Sequence, residues 1–250
     1  MPQTRSLHIK HQLLPGLLAV AAIFLPVTTR ATEPLAAFTP GSRILFQGDS
    51  ITDGNISTHD AHCRWPDQLA RRLIARGGKQ FGVMNQGLGG NRILYDMRGD
   101  SGVRRFDRDM LSQPGVTHGI VLLGINDIRN RRGWAEENPT ADQLIGGLHQ
   151  MALRAKTRGI KLFCGTLTPF ENETFLRGAY SLPKDAVRMA VNEWIRTSGA
   201  FDAVIDFDAE LRDPSNHRSM LPVWDNGDHL HPGDVGYNHM GNVIDLGLFD

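Results

Sequence analysis

The stretch "RILFQGDSITDG", residues 43–54, joins a short apolar run to a polar, glycine-rich turn. The run 43–47 is mostly apolar at both odd and even positions, which is typical of a strand buried on both faces of a sheet. Four more runs of this kind follow: "FGVMN" (81–85), "HGIVLLG" (118–124), "IKLFCGT" (160–166) and "AVIDF" (203–207). Together they predict five buried strands.

Helical patterns separate or follow these runs. They are "WPDQLARRLIARGG" (65–78), "TADQLIGGLHQMALRAKTRG" (140–159), "KDAVRMAVNEWIRTSG" (184–199) and "GDVGYNHMGNVIDLGLF" (233–249). The first places Leu69, Leu73 and Ile74 on one face, and the second begins with a capping box from Thr140 to Gln143. Alternating strands and helices predict one α/β domain with a parallel sheet, whose sites form where the strands end.

The N-terminal segment has a different composition. Arg5 and Lys10 precede an apolar run at 13–27, and small residues follow up to Ala31. This is the pattern of a secretory signal peptide, so we expect residues 1–31 to be removed and 32–250 to form a periplasmic or secreted domain. The run is shorter than the roughly 20 residues that span a bilayer. No second apolar stretch is long enough to do so, and no membrane span is therefore expected after cleavage. An uncleaved anchor is the alternative.

Charge and cysteine content restrict the possible partners. The chain has 27 Lys plus Arg and 27 Asp plus Glu, so nothing indicates a nucleic-acid partner. Cys63 and Cys164 lie far apart in sequence; an exported protein could join them, but buried free thiols are favoured. The oligomeric state is unknown from the sequence.

Four polar segments are predicted to meet at one edge of the sheet: 48–54, 86–92, 124–128 and "DHLHP" at 228–232. Ser50 follows the first strand and is either a nucleophile or a helix cap. In Asp228-x-x-His231 the carboxylate can fold back onto the imidazole and orient it as a base toward Ser50. A capping arrangement is the alternative there.

Acyl transfer also needs donors for the oxygen that gains charge. The glycine block "GLGGN" can bring a backbone N–H close, and Asn126 can add a side-chain N–H. Plain turns are the alternative for both segments. Asp49 and Asp127 flank these residues and are either acceptors that hold the loops or partners in local turn bonding.

These four blocks, in this order over nearly the whole mature chain, resemble the SGNH hydrolases, also called GDSL esterases. The resemblance implies a flavodoxin-like three-layer sandwich with a five-stranded parallel sheet. It implies Ser50 as nucleophile, His231 as base and Asp228 as its carboxylate. The implied oxyanion donors are the backbone N–H of Ser50, the Asn126 side chain and a glycine N–H. That glycine is matched to Gly90 because Asn91 follows it, with Gly87 as the alternative.

The lack of a G-x-S-x-G elbow around Ser50 argues against an α/β-hydrolase. The C-terminal segment is similar to that of bacterial members acting on small esters or acetylated sugars. We therefore expect an exported serine esterase for short acyl, mainly acetyl, esters of carbohydrates or other small molecules. The alternatives are a lipase or lysophospholipase for longer chains and a non-catalytic carbohydrate-binding protein. Arg92 and Trp224 are candidate substrate contacts, with plain packing as the alternative.

A metal site is the competing interpretation of "DHLHP". His229 and His231, with Asp228 or Asp234, could be ligands, and "HDAHC" at 59–63 could add more. The four polar segments account for His231 without a metal, however. The sequence therefore predicts no metal and no cofactor.

Overall fold

The computed structural model describes residues 43–78, 80–130 and 137–250. The expected signal peptide, residues 1–31, lies outside the described residues.

Five parallel strands form the central sheet in the order β2-β1-β3-β4-β5. Their bounds are β1 Arg43–Gly48, β2 Gly82–Gly87, β3 Val116–Leu122, β4 Lys161–Gly165 and β5 Ala203–Ile205. All four pairings are parallel, and β1 pairs with both β2 and β3. The expected fold class, a flavodoxin-like α/β sandwich with a five-stranded parallel sheet, is confirmed.

Helices and a small hairpin make up the remaining regular structure. The helices are α1 Ser50–Asp53, α2 Trp65–Arg76, α3 Gly102–Phe106, α4 Ile125–Arg129, α5 Ala141–Thr157, α6 Leu182–Thr197, α7 Phe207–Leu211 and α8 Asp234–Val243. A π-helical turn Asp107–Leu111 continues α3, and a 3-10 turn Leu246–Phe249 follows α8. The hairpin pairs β6 Arg212–Asp213 with β7 Asn216–Met220. In the described part of the chain, no helix is long and apolar enough to cross a membrane.

The strand order determines how the helices are layered. Right-handed crossovers place α2, which links β1 to β2, on one face, and α3, α5 and α6 on the other. The packing agrees: α2 packs against α8, whereas α5 packs against both α3 and α6. The sheet is therefore covered by helices on both faces.

Burial follows the apolar pattern of the strands and long helices. Ile44, Leu45 and Phe46 of β1 are fully buried at successive positions, as expected for a strand covered on both faces. On α2, Leu69 and Leu73 enter the core. Ile74 does not: it is 67 % exposed, so its assignment to the buried face was wrong.

The chain runs outward in both directions from β1, so the order of strands reverses between β1 and β3. In doubly wound sheets a crevice opens at this point, beyond the carboxyl ends of the two strands. Ser50 follows β1 and Asn126 follows β3. The topology therefore brings these two segments side by side.

Candidate active site

Ser50 is held at the first turn after β1. Asp49 caps the short helix α1, and its side chain accepts a hydrogen bond of 3.0 Å from the backbone N–H of Ile51. Gly48 is needed for this close turn, since a Cβ there would lie 2.1 Å from Thr52 Oγ1 and 2.8 Å from the Leu122 carbonyl oxygen. Ser50 is buried, yet it lines a hollow at the carboxyl edge of the sheet.

His231 connects Ser50 to Asp228. Its Nε2 lies 2.9 Å from Ser50 Oγ, and its Nδ1 lies 2.7 Å from Asp228 Oδ2. The ionised carboxylate can only accept, so Nδ1 carries the proton and Nε2 is left to accept from the Ser50 hydroxyl. Asp228 and His231 thus form one hydrogen-bonded relay with Ser50, which lies 181 positions before His231.

The local fold of "DHLHP" sets this geometry. Asp228 Oδ1 accepts the backbone N–H groups of Leu230, at 2.9 Å, and of His231, at 2.8 Å. Burial acts to raise the pKa of Asp228, but hydrogen bonds from the ring and backbone of His231 outweigh it and hold the pKa at about 2. The carboxylate is therefore charged wherever the imidazole can act as a base, which suits it to stabilise an imidazolium.

Ser50, Gly90 and Asn126 line the same hollow of about 130 Å³. Gly90 adopts a left-handed φ of 79°, which glycine reaches without strain. Asn126 donates from Nδ2 to the carbonyl oxygen of Asn91 at 3.1 Å, and Arg129 Nη1 donates to Asn126 Oδ1 at 2.9 Å. Both partners fix the orientation of the amide, and the second N–H of Nδ2 remains for the hollow.

Gly87, the alternative donor, lies elsewhere. Its backbone N–H donates to Asn85 Oδ1 at 2.8 Å, and it packs so closely on α1 that a Cβ would come within 2.3 Å of the Asp53 nitrogen. Gly90, with its neighbour Gly89, lines the hollow beside Ser50, whereas Gly87 does not.

Asp127 holds the loop after β2 against α4. Its two carboxylate oxygens accept the backbone N–H groups of Ile93, at 2.6 Å, and Leu94, at 3.0 Å. Burial raises the pKa of Asp127 to about 6 in spite of these hydrogen bonds, and burial likewise raises the pKa of Asp49 to about 6. Asp127 thus holds a second loop beside its own, whereas the hydrogen bond of Asp49 is local to the turn that carries Ser50.

Neither candidate substrate contact is found in this hollow. Arg92 is 0 % exposed: its guanidinium pairs with Glu137 at 2.5 Å and lies 4.6 Å from the centre of the Tyr95 ring. Trp224 stacks on His239, with ring centres 4.2 Å apart, and lines a separate hollow. Arg92 is therefore a packing residue, and the interpretation that it contacts substrate was wrong. The structure does not bring Trp224 to Ser50.

Four residues that the sequence did not single out also line the hollow, namely Asn55, Arg98, Arg129 and Phe175. Asn55 Nδ2 lies 3.4 Å from His231 Nε2, and the Phe175 ring stands edge-on to the imidazole at 5.6 Å. Asn55 directly extends the "GDSITDG" turn, so its position in sequence was a usable signal. Phe175 and Arg98 lie in long loops, where no periodic pattern indicates which side chains face the site.

The two histidines of "DHLHP" have different partners. His229 Nδ1 lies 2.5 Å from Asp225 Oδ2, whereas His231 binds Asp228. Over residues 43–78, 80–130 and 137–250, no group of three or more His, Cys, Asp or Glu side chains is arranged to hold a metal ion. Cys63 and Cys164 are both free thiols in the structure, and Cys164 is buried in β4.

The GDSL-like lipase/acylhydrolase family model matches residues 46–239 of the chain. No curated protein matches its sequence. Among solved structures, an acetylxylan esterase from Geobacillus stearothermophilus, in a catalytic mutant, is 18% identical, with a TM-score of 0.62 over 84% of this chain and 94% of that one.

Two further structures show the same likeness. A GDSL-like lipase from Bacteroides thetaiotaomicron is 17% identical, with a TM-score of 0.60 over 83% of this chain and 88% of that one. An α/β hydrolase from the metagenome of Lake Arreo, Spain, is 18% identical, with a TM-score of 0.61 over 84% and 95%. At these identities the structures establish a shared fold.

Proposed function

This chain belongs to the GDSL-like lipase/acylhydrolase family, and on that premise we propose a serine esterase mechanism centred on Ser50. Membership makes the protein a carboxylic ester hydrolase. The observation that carries the mechanism is the relay from Ser50 Oγ through His231 to Asp228, with separations of 2.9 and 2.7 Å. A serine hydroxyl is a weak nucleophile until such a base is within hydrogen-bond reach.

In the first half of the reaction, Ser50 Oγ bonds to the ester carbonyl carbon while His231 Nε2 takes the hydroxyl proton. The carbonyl oxygen becomes an oxyanion, which accepts from the backbone N–H groups of Ser50 and Gly90 and from Asn126 Nδ2. Asp228 stabilises the imidazolium that forms and does not itself take the proton. The ester C–O bond then breaks, and the alcohol leaves with the proton from Nε2.

In the second half, water attacks the acyl-enzyme and gives its proton to His231 Nε2. The resulting oxyanion uses the same donors. The bond to Ser50 Oγ then breaks, Oγ recovers the proton, and the carboxylic acid is released. Atoms and charge balance with water as the sole co-reactant.

The size of the hollow supports a short acyl group. At about 130 Å³ it is well below the roughly 300–1,000 Å³ of pockets that enclose drug-sized ligands. The Phe175 ring narrows it beside His231. The likeness to an acetylxylan esterase is consistent with acetyl esters of carbohydrates as substrates.

The first test is hydrolysis of p-nitrophenyl acetate by the wild type, Ser50→Ala and Ser57→Ala. Ser57 is the matched control, because its hydroxyl donates to the carbonyl oxygen of Gly54 in the neighbouring loop. We expect Ser50→Ala to lower kcat by several orders of magnitude and Ser57→Ala to keep most of the activity. An active Ser50→Ala protein, or loss of wild-type activity with a chelator, would contradict the mechanism.

A chain-length series of p-nitrophenyl esters tests the acyl preference. We expect kcat/KM to be highest for acetate and to fall as the chain outgrows the hollow. A maximum at eight carbons or more would instead support a lipase or lysophospholipase. No turnover of any ester, together with measurable glycan binding, would support a non-catalytic carbohydrate-binding protein.

We also propose that the protein is exported to the periplasm or medium after removal of residues 1–31. The charged, apolar and small-residue regions of this segment support the proposal. N-terminal sequencing of the protein from the secreted fraction should give a start near Thr32. A start at Met1 in a membrane fraction would support an uncleaved anchor.

A further inference from the structure

Arg98 is an exposed cation at the wall of the Ser50 hollow. Its stem passes over Gly90, since a Cβ on that glycine would lie 3.1 Å from Arg98 Cγ. The guanidinium is therefore carried by a side chain that lies across one of the proposed oxyanion donors.

The backbone of Arg98 is held firmly. Its carbonyl oxygen accepts from Nδ2 of the fully buried Asn91 at 3.2 Å. On either side, Met97 and Gly99 form an isolated antiparallel bridge, in which Met97 N donates to Gly99 O at 3.3 Å. The stem of Arg98 thus starts from a fixed point next to the site.

The other arginines of this segment are neutralised by carboxylates. The pairs are Arg92 with Glu137, Arg104 with Asp96, Arg105 with Asp109, and Arg108 with Asp100. Among the residues that the structure describes, Arg98 has no carboxylate within ion-pair distance. The nearby acids Asp96 and Asp100 are engaged by Arg104 and Arg108. Of the two arginines that line the hollow, Arg98 is therefore the one without a carboxylate partner among the described residues.

The hollow itself favours an anion. Its second guanidinium, Arg129, is compensated by the buried Glu173 at 2.7 Å. Within the described ranges, no carboxylate is among the residues that line the hollow. A substrate carboxylate beside the ester would therefore meet the uncompensated charge of Arg98. The acid next to the lining is Asp53, whose Oδ2 would lie 3.7 Å from a Cβ on Gly89.

We propose that the natural ester carries a carboxylate close to the scissile bond and that Arg98 binds it. This rests on the proposed serine esterase function and narrows its substrate class. For a carbohydrate ester it means an O-acetylated acidic sugar of the uronic acid type. The planar guanidinium can donate two parallel hydrogen bonds to such a carboxylate.

The test compares two matched pairs of acetate esters in which a carboxylate is replaced by a neutral carboxamide of similar shape. The pairs are 4-acetoxybenzoate with 4-acetoxybenzamide, and O-acetylated methyl glucuronoside with its glucuronamide. For each enzyme we take the ratio of kcat/KM for the anionic ester to that for the neutral one. Comparing this ratio between variants cancels the intrinsic reactivity of the esters.

The variants are Arg98→Gln, Arg98→Lys and the control Arg158→Gln. Arg158 is an exposed arginine at the end of α5, just before β4 begins and thus at the opposite edge of the sheet. We expect Arg98→Gln to lower the ratio roughly tenfold, mainly through KM, since a charge-assisted pair is lost. Arg98→Lys should keep part of the preference, because it keeps the charge without the planar fork. Arg158→Gln should leave the ratio unchanged.

Three results would overturn the inference in different ways. If both esters are hydrolysed and Arg98→Gln leaves the ratio unchanged, the carboxylate preference is wrong while the serine esterase proposal stands. If the wild type hydrolyses p-nitrophenyl acetate but neither ester of either pair, the inference fails and the serine esterase proposal stands. If it hydrolyses none of these esters, the proposed function fails and the inference fails with it.

Discussion

At the scale of single residues, the "DHLHP" turn contains two Asp–His pairs of similar chemistry and different surroundings. Asp228 binds His231, which is 1 % exposed and contacts Ser50 with its other nitrogen. Asp225 binds His229, whose side chain is 44 % exposed. Each aspartate also accepts backbone N–H groups of the same turn with its other oxygen. Comparing variants of the two aspartates therefore separates the effect of holding the turn from the effect of Asp228 on the base His231.

Asp228→Asn should lower kcat for p-nitrophenyl acetate by about 10²–10⁴-fold. The amide keeps an oxygen for the backbone N–H groups, but it no longer stabilises the charged imidazole in the required tautomer. Asp225→Asn removes the same charge from the same turn and should change kcat less than about threefold. Equal losses in the two variants would mean that both aspartates act only by holding the turn.

We infer that Arg129, which also lines the hollow, acts through the Asn126 amide. A carboxamide can present either its oxygen or its nitrogen, and the Arg129 guanidinium at Oδ1 selects the orientation that points Nδ2 at the hollow. The guanidinium binds Glu173 with its other nitrogen, at 2.7 Å. Arg129 is thus a positioning residue that spans two partners at once.

Arg129→Lys should lower kcat about tenfold or more while KM stays within a factor of about three. The ammonium can still neutralise Glu173, but it is too compact to hold the Asn126 amide as well. In the Asn126→Ala background, where no amide remains to be oriented, Arg129→Lys should have little further effect. Additive losses in the double variant would show that Arg129 contributes to the fold alone.

At the scale of elements, the sequence indicated the long and buried ones. The five apolar runs agree with the strands to within two residues, and the Thr140–Gln143 capping box starts α5 as expected. Short elements such as α4, α7 and the β6–β7 hairpin were missed. A helix of five residues has no second turn to show a period, and such pieces depend on tertiary hydrogen bonds, such as Leu221 N to Leu211 O at 2.8 Å.

The site residues also divide into those that a clear sequence pattern marks and those that depend on tertiary contacts. Ser50, Asn126 and His231 were found because each follows a strand or precedes a helix that the pattern marks clearly. Arg92 was misassigned because sequence cannot separate a buried arginine paired with Glu137 from one facing a substrate. Arg98 was missed because the sequence cannot show that an arginine lacks a carboxylate partner in the folded chain.

Two adjacent glycines of α5 provide a prediction with opposite signs. A Cβ at Gly147 would lie 2.5 Å from Ile93 Cγ2, in the loop that Asp127 holds, whereas a Cβ at Gly146 meets nothing within 4 Å. Gly147→Ala should therefore destabilise the protein by about 1–3 kcal/mol. Gly146→Ala should stabilise it by roughly 0.5–1 kcal/mol through helix propensity. Urea unfolding measures both, and equal effects would contradict this packing of α5.

At the scale of the whole molecule, buried carboxylates make stability depend on pH in two opposite ways. Asp228 has its pKa lowered to about 2, so between pH 2 and 4 the unfolded chain binds more protons. Stability should rise with pH in that window. Burial raises the pKa of Asp49 and of Asp127 to about 6. Between pH 4 and 6 the folded chain therefore binds more protons than the unfolded one, and these two groups make stability fall as pH rises.

Asp49→Asn should flatten the fall in stability between pH 4 and 6, because it removes a group whose charged form is disfavoured by burial. The amide oxygen can still accept the N–H of Ile51, so the cap on α1 is kept. Urea unfolding at pH 3, 4, 5 and 6 measures the effect, which we expect to reach about 1–3 kcal/mol at pH 6 relative to pH 4. Asp228→Asn is the internal control, since it should change the slope below pH 4 and leave the limb from pH 4 to 6 as in the wild type. Parallel curves for wild type and Asp49→Asn over pH 4–6 would mean that Asp49 is not protonated in the folded state and that its surroundings hold a buried charge.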